Sequence, residues 1–181
     1  MGVETEVKII IESVENFIGL ALSLGAERVS ERSLEDNILF DFPDDGLRRA
    51  SCVLRVRSVA GRGVLTYKGA PRPDVIFKSR EELETGVENP ETAIEIFERI
   101  GLKPGFRYQK YRQEFALGGV HVAVDETPIG NYAEFEGTKD DILNLANKFG
   151  IAESLFIRQS YHALYIAYCD GHGIAPQSMI F

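Results

Sequence analysis

The chain has 181 residues, 44% hydrophobic and 27% charged, the profile of a soluble globular protein with a sizeable core rather than of a disordered one. No run approaches the ~20 apolar residues of a membrane-spanning helix, and no basic stretch followed by an apolar one marks a signal peptide. A net charge of −8 sets general nucleic-acid binding at a disadvantage. Histidines 121, 162 and 172 are scattered, which gives a zinc centre or a His-based triad little support. Cys52 and Cys169 have no metal-like spacing, so two reduced cysteines in a cytoplasmic protein are expected.

In chain order, "VETEVKIII" reads as a strand with period-2 alternation. "SVENFIGLALSLGA" has helical spacing, opens on Ser13 as an N-cap and stops at Gly25. "DNILFDF" is a strand ended by the turn "PDDG". "CVLRVRSV" and "VLTYKG" form a hairpin around "AGRG". After the loop "APRPD", "VIFKSREELE" resumes an extended pattern. "NPETAIEIFERIG" is a helix with Asn89 as cap and Pro90 in its first turn. "FRYQKYRQEFAL" and "GVHVAVDE" are strands joined by Gly118–Gly119, and "NYAEFEG" is another. "TKDDILNLANKFGI" and "SYHALYIAYCD" are helices capped by Thr138 and Ser160, and an irregular tail follows from about residue 170. No low-complexity linker interrupts the chain. One α+β domain over residues 1–181, with mostly antiparallel strands, is expected.

The strands share one peculiarity. Glu4, Glu6 and Lys8 stand on one face of the first strand. The pattern recurs in Arg55 and Arg57, in Thr66 and Lys68, and in Lys78, Arg80, Glu82 and Glu84. It recurs again in Lys110, Arg112 and Glu114, and in Glu134 and Glu136. One such row is ordinarily a solvated face. Six rows backed by apolar residues are either solvent-facing surfaces around a core or the walls of one charged interior, in which case the sheet closes into a barrel. The mixture of signs suits an interior that holds polyphosphate. Arg and Lys would meet its oxygens, and carboxylates would hold a Mg²⁺ or Mn²⁺ that bridges them. Carboxylates at i and i+2 lie roughly 6 to 7 Å apart along a strand, so Glu4 with Glu6, and Glu134 with Glu136, are expected to converge on metal.

These residues resemble a known family. "ETEVK" is similar to the Glu-x-Glu-x-Lys signature of the CYTH domain, or triphosphate tunnel metalloenzyme superfamily. The resemblance continues in order through "LRVR", "TYKG", "REELE", "KYRQEF", "VDETPIGNYAEFEG" and "SYHALY". It implies a closed antiparallel eight-stranded β-barrel forming a tunnel, with flanking helices. It implies the activity of a class IV adenylyl cyclase, a thiamine triphosphatase, an inorganic triphosphatase or a fungal-type RNA triphosphatase. Carried over by motif, Glu4, Glu6, Glu134 and Glu136 are implied as ligands of Mg²⁺ or Mn²⁺, with Glu82, Glu84 and Asp125 as secondary candidates. Lys8, Arg55, Arg57, Lys68, Arg80, Lys110 and Arg112 are implied as the triphosphate cradle. Lys8, Arg57 and Asp125 are the implied catalytic residues, Asp125 by orienting a water or hydroxyl or by supporting the metal. Tyr161 reads as core packing of the last helix, and Asp36 and Asp41 as structural residues near the tunnel mouth.

The expected reaction is metal-dependent hydrolysis of a small-molecule triphosphate, without membrane or nucleic-acid partners; the resemblance also implies a homodimer. The alternative is a class IV cyclase that converts ATP to cyclic AMP and pyrophosphate. The chain begins shortly before Glu4, without the longer leader carrying a His-Phe pair of some bacterial cyclases, which tilts the expectation towards hydrolysis. A Trp-lined base pocket is excluded because the chain has no Trp; Phe and Tyr can still stack on a base. A polyphosphate-binding module without turnover is a lesser alternative, against which the four carboxylates argue.

Overall fold

The computed structural model describes residues 2–181. Eight strands form it: β1 (Gly2–Ile11), β2 (Glu27–Asp41), β3 (Val53–Val59), β4 (Arg62–Lys68), β5 (Lys78–Val87), β6 (Lys103–Leu117), β7 (Val120–Thr127) and β8 (Gly130–Glu136). All neighbours pair antiparallel, and the order β1-β5-β4-β3-β2-β6-β7-β8 closes on itself through β1 and β8. Closure leaves no sheet edge, and side chains alternate between lumen and exterior along each strand.

Helices pack on the apolar exterior, except the last, which lies over lumen-facing side chains at one end. They are α1 (Val14–Ser23), α2 (Gly46–Arg49), α3 (Pro90–Arg99), α4 (Lys139–Lys148) and α5 (Tyr161–His172). Four of the five start at the expected caps: Ser13, Asn89, Thr138 and Ser160 each accept a hydrogen bond from a backbone N–H inside the first turn. Ile142, Leu145 and Ala146 of α4 and Phe17 of α1 pack on Val7, Ile9, Val122 and Phe135 of the wall. Each large side chain buried there contributes ~1.5–3 kcal/mol. Phe97 of α3 meets Phe40 edge-on at 5.2 Å on the opposite side. α5 packs against Phe106, Tyr108 and Tyr132, the side chains at one end of the tunnel.

Three boundaries differ from expectation. β2 starts at Glu27, well before "DNILFDF", because register shifts between Arg28, Ser30 and Ser33 break the alternation that would announce a strand. The "PDDG" turn runs into α2. The extended stretch expected from Val75 begins only at Lys78, because the Asp74 carboxylate accepts from the Ile76 and Phe77 N–H groups and holds a turn. At the other end, Met179 pairs with β6: its N–H donates to the Arg107 carbonyl and its carbonyl accepts from the Gln109 N–H.

Candidate active site

Antiparallel register brings the charged rows face to face. Glu6 lies opposite Glu136 on β8 and Lys78 on β5; Lys8 opposite Glu134; Glu4 opposite Arg80; Lys68 opposite Glu82; Arg112 opposite Asp125; Lys110 opposite Glu35. The rows line one cavity of about 950 Å³. Every expected site residue except Asp125 lines it: Glu4, Glu6, Lys8, Arg55, Arg57, Lys68, Arg80, Glu82, Glu84, Lys110, Arg112, Glu134 and Glu136.

The charges are sorted into pairs. Lys8 Nζ donates to Glu134 at 2.5 Å, and Arg112 donates to the same carboxylate. Lys68 Nζ reaches both oxygens of Glu4 at 2.8 and 2.7 Å and lies 3.0 Å from Glu82. Lys78 Nζ donates to Glu6 at 2.6 Å. Arg57 lies 3.4 Å from Glu35 and 3.5 Å from Glu84, while Arg55 donates to Thr66, Glu84 and the Tyr108 hydroxyl. Asp125 is fully buried and accepts both Arg112 Nε and Nη2, at 2.7 and 2.6 Å, together with Lys110 at 2.9 Å and the Tyr161 hydroxyl at 2.6 Å.

Arg80 stands apart. It is 6% exposed, and its Nε and Nη1 have no hydrogen-bond partner. Among the described residues it is the one cation of the expected cradle without an acidic partner. A buried guanidinium in that state is costly and is poised for an anion.

The expected convergence of Glu4, Glu6, Glu134 and Glu136 is not what the structure shows. Among the described residues no three acidic, His or Cys side chains are arranged to hold a metal ion. The cause is the pairing above: Lys68 holds Glu4, Lys78 holds Glu6, and Lys8 with Arg112 hold Glu134. The donor set nevertheless fits a hard divalent cation chemically, since all four are carboxylates on β1 and β8, and their negative charge is in local excess. Burial, then Glu4, Glu6 and Glu134, push the Glu136 carboxyl up to about 7 against the pull of Lys68. Burial, then the hydrogen bond with Glu4, push Glu82 up to about 8. A cation there would relieve both.

Elsewhere the cations prevail. Burial would raise Glu35, but Lys110, Arg112, Arg57 and Arg55 bring it down to about 2. Glu134, despite burial, is held well below the carboxylate range by Lys8, Arg112 and Lys110. Burial, then Asp125 and Glu134, push the Tyr161 phenol well above its usual value, so it remains a donor.

Sequence reasoning did not single out Glu35, Lys78 or Tyr161 for the site. Lys78 belonged to a recognised row. Glu35 shares its strand face with Asn37 and Leu39, so no charged alternation marked it. Tyr161, read as core packing, reaches the lumen from outside the barrel. Asp36 binds Arg107 and Gln109, and Asp41, which lines the cavity, accepts the N–H groups of Phe42, Leu47 and Arg48. The mouth beside α5 is of another character. There Phe106, Tyr108, His162, Ile166 and Pro176 line the cavity, with the Phe106 and His162 rings 4.4 Å apart. Burial, then Arg48, lower the His162 pKa.

The family model for the CYTH domain matches residues 2–161. A protein of Methanocaldococcus jannaschii, provisionally named an adenylate cyclase, is 28% identical over 170 residues, covering 88% of this chain and 96% of its own. A solved Vibrio parahaemolyticus protein, also provisionally named an adenylate cyclase, superposes with a TM-score of 0.77 at 22% identity over 89% of this chain and 96% of that one. A Hippeastrum protein, provisionally named an adenylyl cyclase and described with a dominant triphosphatase activity, superposes with a TM-score of 0.68 at 17% identity over 97% and 98%. With its family match spanning nearly the whole chain and its closed eight-stranded tunnel, the chain belongs to the CYTH domain family.

Proposed function

We propose that this protein is a Mg²⁺- or Mn²⁺-dependent hydrolase of a triphosphate held in the barrel lumen. The observation that carries this reading is Arg80, a buried guanidinium without an acidic partner on the wall of a closed tunnel. It offers a planar fork of donors to a phosphate oxygen pair. From Arg80 the polyphosphate would extend towards Lys68, Lys8, Arg55 and Arg57, and each phosphate charge would replace a carboxylate that the cation now holds. The carboxylates released on β1 and β8, those of Glu4, Glu6, Glu134 and Glu136, would hold the divalent ion. When bound, that ion would supply neutralising charge to phosphate oxygens and would make a water a better nucleophile. The chain supplies the remainder. Lys110 and Arg112, fixed by Asp125, present preorganised positive charge where negative charge develops, with little reorganisation during the reaction. Asp125 acts through these cations, since both of its oxygens are occupied.

The second reading is ATP cyclisation. It is favoured by the aromatic and apolar mouth around Phe106, Tyr108 and His162, which can stack on a base, and by the provisional name of the Methanocaldococcus jannaschii relative. Purified protein with Mg²⁺ or Mn²⁺ is incubated separately with tripolyphosphate, thiamine triphosphate and ATP, and every product is identified. Pyrophosphate plus orthophosphate from tripolyphosphate is the expected result. Cyclic AMP and pyrophosphate from ATP, with tripolyphosphate intact, would replace the hydrolase reading by the cyclase.

A further inference from the structure

The N-terminus of α5 meets lumen-facing side chains of β1, β6, β7 and β8. Ser160 caps the helix by accepting from the Ala163 N–H, and Tyr161 is its first residue. The Tyr161 ring meets Tyr132 edge-on at 5.5 Å and packs against Tyr108 at 6.2 Å. The ammonium groups of Lys8 and Lys110 lie 4.5 and 5.1 Å from its centroid. Its hydroxyl donates to Asp125 Oδ2, the oxygen that also accepts Lys110 Nζ and Arg112 Nη2. Thus three donors converge on one carboxylate oxygen, and only the phenol comes from outside the barrel strands.

We propose that Tyr161 is a positioning residue: its hydroxyl fixes the Asp125 carboxylate and, through it, the orientation in which Lys110 and Arg112 face a bound polyphosphate. The proposal rests on the reading of the tunnel as a polyphosphate site. An aspartate carboxylate turns easily about its terminal torsion, and with cationic donors alone it would follow the cations as they move. A third donor, held by a capped and packed helix end, pins the plane of the group. The Arg112 fork keeps both of its bonds to Asp125 only in that plane. Misplacing a charged contact by ~1 Å can cost up to a hundredfold in function, so the loss of one hydroxyl from behind the cradle should be felt within it. The ring itself supports Lys8 and Lys110 through its face. Tyr161→Phe keeps the ring and removes only the hydroxyl.

The test is calorimetric affinity for tripolyphosphate in the wild type, Tyr161→Phe, Asp125→Asn, the double variant and Tyr132→Phe. Tyr161→Phe is expected to bind about tenfold more weakly. The double variant should bind no more weakly than Asp125→Asn, because the hydroxyl acts through that carboxylate. Tyr132→Phe, which removes a hydroxyl with no bond to Asp125 from the same aromatic cluster, should match the wild type. Unchanged affinity in Tyr161→Phe would overturn the proposal, as would independent, additive losses in the double variant. Should Asp125→Asn fail to fold, the two Tyr→Phe variants decide alone, and equal affinities overturn the proposal. A wild type that does not bind tripolyphosphate overturns the polyphosphate reading and this inference with it, whereas a binding wild type with an equal Tyr161→Phe overturns this inference alone.

Discussion

Arg80→Ala should weaken tripolyphosphate binding roughly tenfold to hundredfold, because a charge-assisted hydrogen bond to phosphate contributes ~1.5–3 kcal/mol. The same change should leave the thermal stability of the ligand-free protein unchanged or raise it. The side chain is buried with no acidic partner to strand, so its removal relieves an uncompensated charge. Arg72, in the exposed loop before β5, is the control, and Arg72→Ala should bind as the wild type does. Calorimetric titration and thermal unfolding of both variants check this. Equal affinities for the two would place Arg80 outside the binding path. Arg112 is the opposite case. It holds both Asp125 and Glu134, so its removal should destabilise the barrel as well as weaken binding.

At the scale of elements, what could be read from the chain was whatever shows as local periodicity. The helices were legible from Ser13, Asn89, Thr138 and Ser160, since a cap is a local hydrogen bond. The rows on β1, β3, β4, β5, β6 and β8 were legible because the side-chain period of a strand is two. The first half of β2 was not, because its bulges shift register at Ser30 and Ser33 and hide the alternation. Nor was the start of β5, where the Asp74 side chain diverts the backbone. Pairing was beyond reach for a different reason. Lys68 meets Glu4 across 64 residues, and Lys8 meets Glu134 across 126, so which carboxylate holds which cation depends on register around the closed barrel. Counting charges therefore suggested four carboxylates converging on metal, whereas three of the four are each held by cations. The partnerless state of Arg80 was hidden for the same reason: it emerges only when every other partnership is known.

For the whole molecule, the lumen makes stability depend on pH in two opposing directions. Glu35, lowered to about 2 from an ordinary 4.5, binds its proton less tightly when folded. Its contribution is present above about pH 4.5 and is lost as pH falls towards 2. Glu136 and Glu82, raised to about 7 and about 8, act with the opposite sign. Their contribution is complete below about pH 4.5 and is lost as pH rises through 7 to 8. Thermal unfolding in EDTA between pH 2 and 9 should therefore show maximal stability near roughly pH 5 to 6, with a decline on both sides. Glu136→Gln and Glu82→Gln should each flatten the alkaline decline and spare the acidic one. A wild type whose stability climbs steadily to pH 8 would contradict the crowding of carboxylates around Glu136.

The most direct measurement is a crystal structure of the protein with tripolyphosphate and Mn²⁺, the metal being located by its anomalous scattering. Phosphate oxygens are expected on the Arg80 guanidinium inside the barrel, with Lys68 and Lys8 turned from their carboxylates towards phosphate. Manganese is expected on carboxylates drawn from Glu4, Glu6, Glu134 and Glu136. Tripolyphosphate bound only outside the tunnel, or inside it with those carboxylates still paired to their cations and no manganese between the strands, would contradict this arrangement.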